Sequence, residues 1–181
     1  MKITPAALRE VIILEPDVFK DERGHFFESF NARRFAELTG IDAVFVQDNQ
    51  SRSQRNVVRG LHYQIRQTQG KLVRVVAGEV LDVAVDLRRS SPSFGAWTSV
   101  VLSAANRRQT WIPPGFAHGF AVLSESAEVL YKTTDYFAPE HARAVRWNDP
   151  AIGIKWPLTG LPVLSEKDRA APLLADADTF E

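Results

Sequence analysis

Cysteine is absent from this 181-residue chain, and methionine occurs once. Without cysteine there is neither a disulfide framework nor a thiolate metal site, which fits a reducing compartment. Long hydrophobic runs are missing as well. No stretch approaches the roughly 18 to 20 apolar residues of a membrane-spanning helix. The opening MKITPAALREVIILEP lacks the apolar centre of a secretory leader. The expectation is therefore a cytoplasmic protein with no membrane partner. An excess of either charge is also lacking: 22 basic and 22 acidic residues cancel. That argues against a general nucleic-acid binder, which carries a basic excess. It leaves room for an anionic small molecule, since a few arginines can converge locally. There is no internal repeat or low-complexity tract. The length suits one domain over residues 1–181 with a core that needs no staples.

Most of the chain reads as short strands separated by turns. Val11 to Leu14 is apolar and extended, DERG (21–24) is a turn, and HFFESF (25–30) alternates, with Phe26, Glu28 and Phe30 on one face. One clear helix follows, capped by Asn31, formed by ARRFAELT and ended by Gly40. AVFVQDNQ (43–50) reads as a strand, SRSQRN as a polar loop and VVRGLHYQ as another strand. In GKLVRVVAGEVLDVAVDLR two β-rich runs meet at Gly78-Glu79, the signature of a Gly-x hairpin turn. Leu81, Val83, Val85 and Leu87 share one face of the second run, and Asp82 and Asp86 lie on the other. Further strands are expected at 97–102, 108–112, 119–123 and 127–134, with Pro113-Pro114-Gly115 as a loop. Beyond Tyr136 the alternation fades into an irregular arm, and a short helix starts near Ser165. Many evenly spaced strands and few helices predict a β-sandwich or barrel.

Polar residues set in apolar strands carry the functional information. Tyr131 shares a face with Ala127, Val129 and Thr133, so its hydroxyl points inward, either as a satisfied core group or as a reactive one. Glu28 between Phe26 and Phe30 is either a reactive carboxylate or part of a wet edge. His62 stands in VVRGLHYQ, where a structural role competes with proton transfer. Simple alternation places Arg59 and His62 on opposite faces, and Gly60 between them permits a bulge that re-aims one. Lys71 opens the next strand. Ser165 and Asp168 have the spacing of a helix cap. Arg23 stands in a turn, and Gln47 and Asn49 share a strand face. Pro113 to His118 has the P-x-G-x-x-H spacing of metal-binding cupins, but the histidine pair of their first motif is replaced by His62-Tyr63-Gln64, so no metal site is expected.

Taken in order, FKDERGHFFESF, FVQDNQSRS, VVRGLHYQ, GKLVRVVAGEVLDVAVDLRRSSPSFG, WIPPGFAHGF, LYKTTDYF, RWNDPAIGIKWP and LSEKD resemble the dTDP-4-dehydrorhamnose 3,5-epimerase family over nearly the whole chain. The resemblance implies an all-β, cupin-type jelly roll with a few short peripheral helices. It also implies a homodimer and a dTDP-4-keto-6-deoxy sugar as substrate, with no metal or cofactor. It assigns His62 as base, Asp168 as the residue orienting it, Tyr131 as the acid on the other sugar face and Lys71 near the ketone oxygen. Arg23, Glu28, Gln47, Asn49, Arg59 and His118 match ligand-contacting positions, and Lys167 is a further candidate. Phe137 stands where the family often has a tyrosine that stacks on thymine; the ring face is kept and the hydroxyl lost. PEHARA replaces the common PEHERG, so Ala142 stands for a frequent glutamate.

These residue types suit the implied reaction. Hydrogens at C3 and C5 both lie α to a C4 ketone, so one site can make either enolate. It needs a base on one face, an acid on the other and positive charge at the oxyanion. Alternatives are an epimerase acting at C3 or C5 alone, a non-catalytic sugar-binding cupin, and a metal-dependent oxygenase.

Overall fold

The computed structural model describes residues 1–181. Its strands, in chain order, are β1 (Lys2–Pro5), β2 (Ile12–Glu15), β3 (Phe19–Asp21), β4 (Gly24–Phe26), β5 (Gln47–Gln54), β6 (Val58–Gln64) and β7 (Lys71–Ala77). They continue with β8 (Glu79–Asp86), β9 (Trp97–Ser103), β10 (Gln109–Ile112), β11 (Phe116–Val122), β12 (Ser126–Thr133) and β13 (Ala142–Ala144). Two short helices, α1 (Ala32–Thr39) and α2 (Glu166–Ala170), complete the regular structure. None is long and apolar enough to cross a membrane.

Two antiparallel sheets face each other, ordered β1-β2-β10-β7-β12-β5 and β13-β6-β11-β8-β9, and β3-β4 forms a separate ribbon. From β5 to β8 the chain changes sheet at every step. Alternation then sorts each strand's side chains into inside and outside. Val73, Val75, Val80, Ala84, Val100, Leu102, Phe120, Val122, Ala127 and Val129 fill the space between the sheets. The outer face of the five-stranded sheet, with Leu61, Val83, Val85 and Leu87, is covered by Val145, Ile152, Ile154 and Leu174 of the C-terminal arm.

Several local expectations hold. Asn31 Oδ1 accepts from the Arg34 backbone N–H at 3.1 Å, and Gly40 closes α1 in the left-handed region at φ 71°. Ser165 caps α2 by accepting from the Asp168 N–H at 3.1 Å. Other expectations fail for physical reasons. Gly78 is not a hairpin turn: β7 and β8 lie in different sheets, and Gly78 (φ 74°) carries the chain across between them. The period-2 pattern is identical in both cases, because each strand still presents one face to the core. The strand expected over 43–50 starts at Gln47 and continues through Ser51–Gln54, the segment read as loop. Its polarity comes from its place at the sheet edge, where one face is solvated. Of the expected 25–30 strand only His25 and Phe26 are strand, as the end of β4 (Gly24–Phe26), which pairs with β3 alone.

Candidate active site

The inner face of β6 and the strands opposite it open into a cleft of about 300 Å³, whose lining includes Gln47, Asn49, His62, Lys71, Tyr131 and Phe137. The bulge anticipated at Gly60 is present. His118 on β11 pairs with His62, but Phe120, two residues on, pairs with Arg59, three residues back. Gly60 (φ 118°) and Gly119 make this possible. A Cβ on Gly60 would lie 2.6 Å from Gly119 Cα, and one on Gly119 would lie 2.7 Å from the Arg59 carbonyl oxygen. The extra residue lets Arg59 and His62 serve one region. The Arg59 Nε donates to Ser53 Oγ at 2.9 Å, and its charge acts on Tyr131.

His62 Nε2 hydrogen-bonds Asp168 Oδ1 across 106 residues of chain. A parallel bridge between Val57 and Val163 brings the start of α2 beside β6 and so places Asp168. The Asp168 Oδ2 accepts from Ser165 Oγ at 2.8 Å. The helix cap and the histidine partner are therefore one residue in both capacities. Burial raises the Asp168 carboxyl, but the His62 ring, Ser165 and the Gly60 amide outweigh it and hold the group below its ordinary range. An ionised carboxylate only accepts, so His62 donates through Nε2 and keeps its lone pair on Nδ1. The His62 side chain is 39% exposed and Asp168 is 4% exposed, so the pair is anchored at its buried end and open at the other.

Tyr131 projects inward from β12, opposite Asn49 and Val73. Burial raises its phenol above the ordinary value, so it holds its proton at neutral pH. Lys71 is buried, and its Nζ donates to the His62 carbonyl at 3.1 Å. Burial lowers its pKa to about 8, which leaves it a cation near neutrality. His118 is buried behind the cleft; its Nε2 lies 2.7 Å from Asp82 Oδ1, and its ring centroid lies 6.4 Å from that of Tyr131. Gln47 Nε2 donates to Asn49 Oδ1 at 2.9 Å, and Gln47 Oε1 accepts from the Phe137 N–H at 3.0 Å. Phe137 is 57% exposed at the cleft rim, with Lys167 also lining the cleft. No three His, Asp or Glu side chains converge as a metal site.

Two expected residues stand apart from this cleft. Arg23 lies on the β3–β4 ribbon, 85% exposed and paired with Asp21. Glu28 lies in the segment that precedes α1, accepting from Asn31 Nδ2 at 3.0 Å. Two contributors were not singled out from sequence. Asp82 was placed only on the β8 face opposite Leu81, Val83, Val85 and Leu87, and its histidine partner comes from a different strand. Gln64 holds the rim: its Nε2 donates to the Tyr136 carbonyl at 3.2 Å and its Oε1 accepts from the Ala138 N–H at 2.8 Å. The i, i+2 relation of Gln64 to His62 was the available signal for its inward direction.

The model of the family described as dTDP-4-dehydrorhamnose 3,5-epimerase matches residues 5–176. The chain belongs to that family. A dTDP-4-dehydrorhamnose 3,5-epimerase from Pseudomonas aeruginosa is 64% identical over 180 residues, 99% of each chain. A crystal structure of the dTDP-6-deoxy-D-glucose-3,5-epimerase from Legionella pneumophila, in complex with dTDP-4-keto-L-rhamnose, superposes with a TM-score of 0.96. It is 56% identical, and the match covers 98% of this chain and 94% of that one. A dTDP-4-dehydrorhamnose 3-epimerase from Streptomyces niveus is 38% identical over 98% of this chain and 86% of its own. The 3,5-epimerase family fold is thus the two-sheet, cupin-type arrangement described above.

Proposed function

We infer that the chain epimerises dTDP-4-dehydro-6-deoxy-D-glucose at C3 and C5, giving dTDP-4-dehydro-L-rhamnose, within a single catalytic domain. The observation that carries this reading is the cleft in which a carboxylate-anchored histidine, an inward tyrosine and a buried lysine meet. His62 takes the α proton through its free ring nitrogen. Asp168 fixes the tautomer and stabilises the imidazolium, as a buried carboxylate does for histidine elsewhere. The electron pair of the broken C–H bond moves onto the C4 oxygen, where the Lys71 ammonium stabilises the enolate. Tyr131 returns a proton to the opposite face, and solvent restores both side chains. Protons alone are exchanged, so the step is redox-neutral.

Arg59 and Lys167 supply positive charge for the diphosphate, Phe137 a ring face for thymine, and Gln47 and Asn49 amides for polar substrate groups. His118 backs the sugar end of the cleft. Arg23 and Glu28 fit the same reading in a homodimer, each serving the cleft of a second copy. The ribbon that carries Arg23 exposes Phe19 (66%) and Phe26 (72%), apolar surface that a partner would cover. The absence of a membrane-crossing helix accords with a cytoplasmic enzyme.

The test is proton NMR of the keto sugar with purified protein in D2O, with the product trapped by a downstream reductase. Exchange at C3 and C5 with inversion at both is expected. Exchange at one carbon makes this a single-site epimerase, and exchange at neither refutes epimerisation of this substrate.

A further inference from the structure

β8 places two acidic side chains on the inner face, and they are satisfied very differently. Asp86 accepts from Arg88 Nε at 2.8 Å and Nη2 at 2.7 Å, from Ser91 Oγ at 2.6 Å and from Ser93 Oγ at 2.7 Å. That carboxylate is a structural clamp with its lone pairs used. Asp82, four residues earlier, is 2% exposed and borders the apolar core that includes Val80, Ala84 and Phe120. It makes one bond, from His118 Nε2, and its Oδ2 is buried with no hydrogen-bond partner. Burying a carboxylate so poorly satisfied costs free energy, and its acid–base neighbours indicate what the cost sustains. His118 reaches it from β11, and Lys71 from β7 in the facing sheet feels its charge. The other titratable groups around this floor are His62 and Arg59 on β6, Tyr131 on β12 and Asp168 on α2.

We propose that Asp82 is a positioning residue, whose buried carboxylate fixes the His118 ring and serves as the counter-charge that keeps Lys71 cationic at the floor of the cleft. His118 donates Nε2–H to Asp82, so its ring is pinned edge-on to Tyr131. Burial works against the Lys71 ammonium, while the charge of Asp82 works for it. Removing that charge leaves the ammonium buried without an anion, and it gives up its proton at lower pH. Asp82 touches no reacting atom; it acts through Lys71 and His118. Its part in turnover rests on the epimerase reading above, whereas its part in the Lys71 titration does not.

The experiment uses full-length protein carrying 13Cε-labelled lysine, with the Lys71 resonance identified by its loss in Lys71→Met. In Asp82→Asn the Lys71 titration is expected to fall to lower pH than in the wild type. The alkaline limb of kcat should move with it, lowering kcat at pH values above the limb about tenfold for each pH unit displaced, with KM within about twofold. Asp82→Glu should restore both. Where Asp82→Asn does not fold, Asp82→Leu fills similar volume without charge and answers the same question. An unchanged Lys71 titration in the charge-free variant overturns the proposal, as does an equal displacement in Asp82→Glu. If the wild-type protein itself fails to turn over the keto sugar, the functional reading falls, and the Lys71 titration still decides the role of Asp82.

Discussion

At the scale of single residues, His62 and Lys71 are each held by a hydrogen bond, to Asp168 and to the His62 carbonyl. His62→Ala removes the proposed base while leaving Asp168 capped by Ser165. Exchange at both carbons should fall by at least about a hundredfold, measured as deuterium uptake, and near-normal uptake would exclude His62 as base. Tyr131→Phe keeps the ring against His118 and loses only the hydroxyl, so inversion should suffer more than proton loss; equal effects would contradict its assignment as the acid. Lys71 connects chemistry with stability. Burial lowers its folded pKa to about 8, below the ordinary lysine value of 10.5, so between those pH values the unfolded chain binds more protons, and stability rises with pH across that window. Lys71→Met should therefore stop turnover without lowering the Tm at pH 7, its advantage shrinking as pH rises from about 8 towards 10.5. A loss of Tm as large as a core cavity gives would show that the ammonium is not a burden on the fold. These partners were only partly legible in the sequence. His62 and Tyr131 were conspicuous as polar residues in apolar strands, whereas Lys71 read as a charge opening a strand and is in fact buried. Asp82 became informative only once β8 and β11 were neighbours, because pairing between distant strands is not encoded in local alternation.

At the scale of elements, α1 was readable in full because cap, body and stop residue all lie within ten positions. Asn31→Ala should cost about 1 kcal/mol, read as a lowered midpoint in urea, and an unchanged midpoint would mean the cap is supplied by another group. β5 was misplaced because an edge strand with a wet face has the composition of a loop. The step at Gly78 was read as a hairpin because local residue chemistry specifies a turn and not which sheet the next strand joins. The β6 bulge was anticipated from Gly60, but its other half, Gly119, was recognisable only from the close backbone approach. Gly119→Val should lower both stability and activity, since its branches meet the Arg59 carbonyl and Leu61.

At the scale of the whole molecule, a C-terminal arm laid over the five-stranded sheet brings residues 62 and 168 together; a β-sandwich or barrel was legible from strand count, and its cupin type from the family resemblance of the ordered motifs. The β3–β4 ribbon was not intelligible as a free-standing feature: its aromatic residues face outward and its arginine stands away from the cleft of its own chain. Light scattering should give twice the chain mass, and Phe19→Ser with Phe26→Ser should shift it towards the monomer. A wild-type protein that is monomeric at micromolar concentration would leave Arg23 and Glu28 outside the site. Chelator treatment should leave turnover unchanged, since no three ligating side chains converge; activity restored only by added metal would overturn that reading.

Gln64 clasps the loop that carries Phe137, and His62 stands two residues away on the same strand. The two ends of the cleft are therefore mounted on one rigid bar, separated along it by about 7 Å of extended backbone. A bar of that kind is a gauge: the span from aromatic platform to proton acceptor is set by strand geometry and varies little with loop motion. On the proposed reading, changes in the loop alter the ring face offered to a nucleobase while the strand position of His62 stays fixed.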